Sequence, residues 1–238
     1  MTQIRIYNTK QIVAEKFSAF FKELTTTDKT FNVALSGGST PKIVFDYLAE
    51  NFVDAIDWSK VNFYWGDERC VSPTDNESNY KMTMEHLLDK ISIPKENIFR
   101  ILGENDPKNE AIRYSGVLAK NVPSEHGIPK FDLVILGMGD DGHTASVFPH
   151  EIHLWDAEEN CVVAIHPDSG QRRVSLTGRV INNADIVAFL VTGISKAEKV
   201  REIIKEVGSY NDYPATLVKP TSGKLIWFLD TEAAKEIS

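Results

Sequence analysis

The sequence predicts an α/β fold in which a mostly parallel, twisted sheet carries helices on both faces, and three features of the chain point to it. Short apolar runs alternate with longer amphipathic ones along the whole length. Several short runs are nearly continuous in Val, Ile, Leu and Phe, as strands covered on both sides require. Capping residues followed by proline mark where longer runs begin. Alternation of this kind lays successive strands parallel in one sheet.

The elements follow in order. Strands are expected at Ile4–Tyr7, Phe31–Leu35, Val61–Trp65, Asp132–Leu136, Val162–Ile165, Ile186–Val191 and Leu225–Leu229. Helices are expected over residues 9–24, 41–51, 77–90, 107–120, 196–207 and 231–236. Thr40 before Pro41 and Asp106 before Pro107 each offer a capping side chain ahead of a proline at the first helical position. Asn76 precedes a helix whose first turn carries Glu77. The arrangement is Rossmann-like. No repeat, low-complexity tract or Pro/Gly-rich linker divides the chain, so a single domain over residues 1–238 is expected. Asn121–Lys130 is the best boundary candidate, and a surface crossover explains it equally well.

A chain of 238 residues with 42% apolar and 25% charged residues is ordinary globular material with ample core. Its formal net charge of −8 argues against a nucleic-acid or anionic-membrane partner, each of which needs a basic face. A local basic pocket can still hold a small anion. Two cysteines, Cys70 and Cys161, form no C-x-x-C pair and no disulfide framework, which fits a reduced compartment. Met1–Tyr7 lacks the apolar core of a signal peptide, and no stretch approaches the ~20 apolar residues of a membrane span. A cytoplasmic protein is expected. Monomer and homodimer are both compatible with the sequence.

In an open parallel sheet the ligand sits beyond the carboxyl ends of the strands, so the loops there matter most. The first is Ser36-Gly37-Gly38-Ser39-Thr40-Pro41. Its glycines let backbone approach a ligand, and N–H groups at the helix start point toward an anion. It lacks the G-K-[ST] ending of a P-loop and also reads as a tight turn with a hydroxyl cap. The second is Trp65-Gly66-Asp67-Glu68-Arg69-Cys70, with Ser78-Asn79-Tyr80 downstream. Its acids and arginine either place a sugar hydroxyl and pair with phosphate or form a surface ion pair.

The third loop, Gly137–Ser146, formally contains G-x-G-x-x-G. A dinucleotide site is rejected because Asp140 and Asp141 would face the pyrophosphate, and Glu158 and Glu159 precede the next strand rather than end it. What remains is a glycine-rich turn holding His143, an imidazole suited to proton transfer near neutral pH or to a structural role. Arg172-Arg173 precedes a short apolar stretch. Lys196 falls in the first turn of a helix, where the dipole favours acids, and that local conflict hints at function. His143, His150, His153 and His166 match no zinc spacing, so neither metal nor cofactor is expected.

Five motifs then stand in a fixed order. They are S-G-G-S-T-P-K at Ser36–Lys42, W-G-D-E-R at Trp65–Arg69 with S-N-Y at Ser78–Tyr80, G-M-G-D-D-G-H-T-A-S-V-F-P at Gly137–Pro149, T-G-I-S-K at Thr192–Lys196, and G-K-L-I-W-F-L-D at Gly223–Asp230. Each alone is weak; together they span nearly the whole chain and resemble the glucosamine-6-phosphate isomerase/6-phosphogluconolactonase family. The resemblance implies a fold related to that of the glucosamine-6-phosphate deaminases. It also implies hydrolysis of 6-phospho-D-glucono-1,5-lactone to 6-phospho-D-gluconate, a step of the oxidative pentose phosphate pathway, without a cofactor.

By the same resemblance His143 is the general base and Asp67 places the substrate or water. Phosphate falls to Ser36, Gly37, Gly38, Ser39, Thr40, Arg69 and Lys196, with Arg173 added on a looser match around R-V-S-L-T. The family's deaminases carry a ring-opening glutamate in an N-E-P stretch. Ser146-Val147-Phe148-Pro149 has no such acid and Glu151 lies beyond the proline, which favours the lactonase. The alternatives are a deaminase or isomerase and a non-catalytic sugar-phosphate-binding protein. No G-x-S-x-G elbow offers a serine nucleophile.

Overall fold

The computed structural model describes residues 2–221 and 223–237; Met1, Ser222 and Ser238 lie outside the described residues. Among the described residues twelve strands form: β1 (Thr2–Tyr7), β2 (Phe31–Leu35), β3 (Val61–Trp65), β4 (Asp67–Arg69), β5 (Ile98–Phe99), β6 (Ser124–Glu125), β7 (Ile128–Pro129), β8 (Leu133–Leu136), β9 (Cys161–Ile165), β10 (Arg172–Leu176), β11 (Ile186–Val191) and β12 (Lys224–Asp230). The α-helices are α1 (Lys10–Thr25), α2 (Ser39–Asn51), α3 (Asn79–His86), α4 (Pro107–Asn121), α5 (Gly178–Ile181) and α6 (Ala197–Lys205).

Seven strands make the central sheet in the order β1-β12-β11-β8-β2-β3-β5, and every adjacent pair is parallel. All residues of β2 and β8 are buried, which is why those runs read as continuous apolar sequence rather than alternating. From β2 the chain moves outward to β3 and β5; from β8 it moves the other way, to β11 and β12. The order therefore reverses between β2 and β8, and a crevice opens at their carboxyl ends.

The expected strand at Val162–Ile165 exists but leaves this sheet. As β9 it pairs antiparallel with β10, which pairs antiparallel with β4 in a separate three-stranded sheet. Residues 166–171 are too short a link for the crossover that parallel strands need, so the chain turns straight back. Asp67–Arg69, expected as loop, is strand for the same reason: β10 lies beside it.

Helix starts also shift. Asp106 caps α4 as expected, accepting from the Asn109 amide at 3.1 Å, with Pro107 first in the helix. α2 instead begins at Ser39 with Gly38 (φ 110°) at its cap, while the Thr40 hydroxyl is shared with Thr192 at 2.8 Å. Ser78, not Asn76, caps α3, accepting from Lys81 N at 3.1 Å. α3 ends at His86, with a 3₁₀ turn over Leu88–Lys90 replacing its last expected turn. Lys196 stands at the cap of α6 rather than within it. The expected helix at 231–236 is a series of turns, tied back where Asp230 accepts from Ala233 N at 2.8 Å. Within Asn121–Lys130 the chain forms the β6–β7 hairpin, turning at His126 (φ 52°) and Gly127 (φ 76°). No described helix is long and apolar enough to cross a membrane.

One side chain fixes the sheet's exit toward the site. Tyr114 of α4 is fully buried, and its hydroxyl accepts from Trp65 N at 2.8 Å while reaching Trp65 O at 3.1 Å and Phe99 O at 3.3 Å. It thus satisfies backbone where β3 gives way to β4. Tyr114→Phe keeps the ring but leaves these groups without the hydroxyl. A loss of about 1–3 kcal/mol is expected, or roughly 2–4 °C in Tm per kcal/mol for a chain of this size. An unchanged urea midpoint would show that the hydroxyl does not support this corner.

Candidate functional site

The two strands at the reversal point deliver two of the three glycine-rich or charged loops side by side. After β2, Ser36 is nearly buried and Gly37 lies under the Asn79 side chain. A Cβ on Gly37 would stand 1.9 Å from Asn79 Oδ1, so only glycine lets Asn79 cross there. α2 then starts with no side-chain cap, leaving first-turn N–H groups available to a ligand.

The Asp67-Glu68-Arg69 segment is not a surface ion pair, because Asp67 is 4% and Glu68 2% exposed. Glu68 caps α3 from another element, accepting from Asn79 N and Tyr80 N at 2.7 Å and from Ser78 Oγ at 3.1 Å. Burial pushes its carboxyl up, and these backbone donors pull it back. Asp67 accepts from Ser146 Oγ at 2.6 Å and lines the cleft.

Arg69 faces Arg173 across the β4–β10 pair. Arg69 donates to the Glu77 carbonyl, while its Nε is buried with no partner among the described residues. Arg173 is 8% exposed; burial lowers its guanidinium and the charge of Arg69 lowers it further. A buried guanidinium beside a half-buried one favours an anion between or next to them.

The third loop follows β8. His143 Nδ1 lies 2.6 Å from Asp141 Oδ1, which also accepts from His143 N at 3.0 Å. Burial alone raises the Asp141 carboxyl, but the hydrogen bond and charge of His143 override it and bring the group down to about 2. An ionised Asp141 only accepts, so in the neutral imidazole it is Nδ1 that carries the proton and Nε2 that keeps the lone pair. Gly139 makes room for the pair, since a Cβ there would lie 2.1 Å from His143 Nδ1. The Phe148 ring packs against the imidazole at 4.6 Å between centroids. Beyond, Lys196 Nζ sits 2.6 Å from Asp140 Oδ1.

One cleft is thus lined by Ser36, Gly37, Gly38, Ser39 and Thr40, by Asp67, Arg69 and Arg173, and by His143 and Lys196. The residues singled out from sequence come together in it. Asn79 and Thr192 line it as well; both stood inside quoted motifs without a part to play. Asp141 and Ser146 support it from behind through His143 and Asp67. His150, His153 and His166 do not line it. Glu151 is engaged elsewhere, accepting from Ile165 N at 2.8 Å. Among the described residues no three His, Cys, Asp or Glu side chains converge to hold a metal.

Comparison with known proteins finds one family over nearly the whole chain. The family described as glucosamine-6-phosphate isomerases/6-phosphogluconolactonase matches residues 8–227. A 6-phosphogluconolactonase of Treponema pallidum (strain Nichols) is 43% identical over 201 residues, covering 84% of this chain and 83% of that one. One from Haemophilus influenzae is 42% identical over 230 residues, covering 96% and 97%. The structure of the 6-phosphogluconolactonase from Trypanosoma brucei superposes with a TM-score of 0.88 at 27% identity, covering 100% of this chain and 99% of that one.

The Asp141–His143 pair carries a prediction of its own. A carboxyl depressed from 3.8 to about 2 stabilises the fold above about pH 4 and loses that contribution as pH falls toward 2. The unfolding free-energy difference between wild type and Asp141→Asn should therefore shrink across that window in urea titrations. A difference that stays constant through it would reject the depressed carboxyl.

Proposed function

The chain belongs to the glucosamine-6-phosphate isomerase/6-phosphogluconolactonase family, and from that premise we propose that it hydrolyses 6-phospho-D-glucono-1,5-lactone to 6-phospho-D-gluconate in the cytoplasm, as a step of the oxidative pentose phosphate pathway. The observation that carries the reading is a histidine with one nitrogen committed to an ionised carboxylate, in the same cleft as three cationic side chains.

Neutral His143 accepts a proton at Nε2 from a water molecule as the water oxygen bonds to the lactone carbonyl carbon. The tetrahedral intermediate then collapses, breaking the bond to the ring oxygen, and the imidazolium returns its proton to that oxygen. Asp141 holds the imidazole in the required tautomer and stabilises the cation while it lasts. Asp67 positions the substrate or the attacking water. Arg69, Arg173 and Lys196, with the backbone and hydroxyls of Ser36–Thr40, take the phosphate. A δ-lactone is an activated ester, so one base and accurate placement meet the demand with protein groups alone. A deaminase reading is disfavoured because no acid precedes Pro149 and Glu151 is bound to the β9 backbone.

His143→Ala should lower turnover by ~10²–10⁴-fold, toward the spontaneous background, while leaving the fold intact. Lactone hydrolysis followed against that background tests it, and a variant keeping more than half of wild-type turnover would remove His143 from the mechanism.

The phosphate should be the main handle on the substrate. Charge-assisted hydrogen bonds of ~1.5–3 kcal/mol imply that Arg69→Ala or Lys196→Ala weakens binding by roughly 10- to 150-fold. Measured kcat/KM should strongly favour the phosphorylated lactone over plain gluconolactone. A wild-type enzyme indifferent to the phosphate would end the assignment of these residues.

A further inference from the structure

Asp67 is held by a residue that never reaches the cleft. Its Oδ2 accepts from Ser146 Oγ at 2.6 Å, a separation typical of a strong charge-assisted bond. Its Oδ1 carries no hydrogen bond among the described residues and belongs to a side chain that lines the cleft. Ser146 itself is fully buried and does not line the cleft, so its hydroxyl cannot serve as a nucleophile toward a ligand there.

The backbone around Ser146 is bent to hold it in place. Ala145 adopts φ 48°, a left-handed conformation that a non-glycine residue rarely takes unless its surroundings force it. The turn is closed by the Thr144–Val147 bridge, with Val147 N donating to Thr144 O at 3.0 Å. Ser146 N donates to Ser175 Oγ at 3.1 Å, and Ser175 stands directly opposite Asp67 in the β10–β4 register. Ser146 is therefore fastened to both members of one cross-strand pair, by its amide to one and its hydroxyl to the other. Arg173 on β10 and Glu68 on β4 lie within electrostatic reach of the Asp67 carboxylate.

We propose that Ser146 is a positioning residue for the hydrolysis: its hydroxyl fixes the rotamer of Asp67 and leaves Oδ1 as the one oxygen presented to the substrate or water. The proposal rests on the reading of Asp67 given above.

The test compares Ser146→Ala, Ser146→Cys, Asp67→Asn and the Ser146→Ala/Asp67→Asn pair, using kcat and KM measured separately together with thermal unfolding. Ser146→Ala should reduce kcat/KM by about 10-fold or more, mainly through kcat. Ser146→Cys, close in volume but a weaker donor, should fall between Ala and wild type. In the Asp67→Asn background Ser146→Ala should cost nothing further. A wild-type rate in Ser146→Ala, beside an impaired Asp67→Asn, would overturn the proposal alone. So would an equal loss in both backgrounds, which marks a purely structural serine. Asp67→Asn at the wild-type rate would overturn the reading of Asp67, and the proposal with it.

Discussion

The parallel pairing of β2 with β8, through Val33 opposite Leu133 and Ala34 opposite Val134, is the contact on which everything else depends. The chain leaves these two strands in opposite directions, so no connection covers the space beyond their ends. Their exits must instead face each other: a Cβ on Gly137 would meet Ser36 Oγ at 3.8 Å. One exit opens a helix with free N–H groups and the other bends back to hold an imidazole. Without this adjacency the two halves of the cleft would stand apart along the edge of the sheet.

The small antiparallel sheet supplies what the central one cannot. It brings side chains in from the flank at a fixed register, so Arg69 stands opposite Arg173 and Asp67 opposite Ser175. Concentrating two guanidinium groups inside a chain of net charge −8 is unfavourable unless something balances them. Asp67, Glu68 and Glu77 offset the Arg173 charge in part, and burial still lowers its guanidinium. An anion in the cleft would complete the balance.

Sequence periodicity was informative where burial is two-sided and local. Phe31–Leu35, Val61–Trp65 and Ile186–Val191 are strands with the bounds their apolar runs suggest. It was uninformative where a partner distant in sequence decides the outcome. β10 opens on two arginines, and nothing in Arg172–Leu176 announces a strand until β4 and β9 lie beside it. Thr40 has the chemistry of a cap, yet its hydroxyl goes to Thr192, 152 residues away. Glu68 reads as an acid that places a sugar hydroxyl or joins a surface ion pair, and is a helix cap in space rather than in sequence. The residues of the cleft were recognisable as motifs, whereas the supporting roles of Asn79 and Ser146 rest on contacts to Asp67 that no spacing encodes.

The Lys196–Asp140 bridge changes how the cleft's affinity for an anion is to be understood. Asp140 belongs to the loop of His143 and is largely exposed, so its hold on the lysine is readily surrendered to a competing anion. An incoming anion at Lys196 therefore exchanges one ion pair for another instead of creating a new one. Its gain is the difference between two attractions, and added salt weakens both sides of that exchange. The ionic-strength dependence of binding should accordingly be shallower than the number of cations in the cleft suggests. The carboxylate set free by the exchange sits three residues from the imidazole, which joins occupancy at one end of the cleft to the electrostatics at the other.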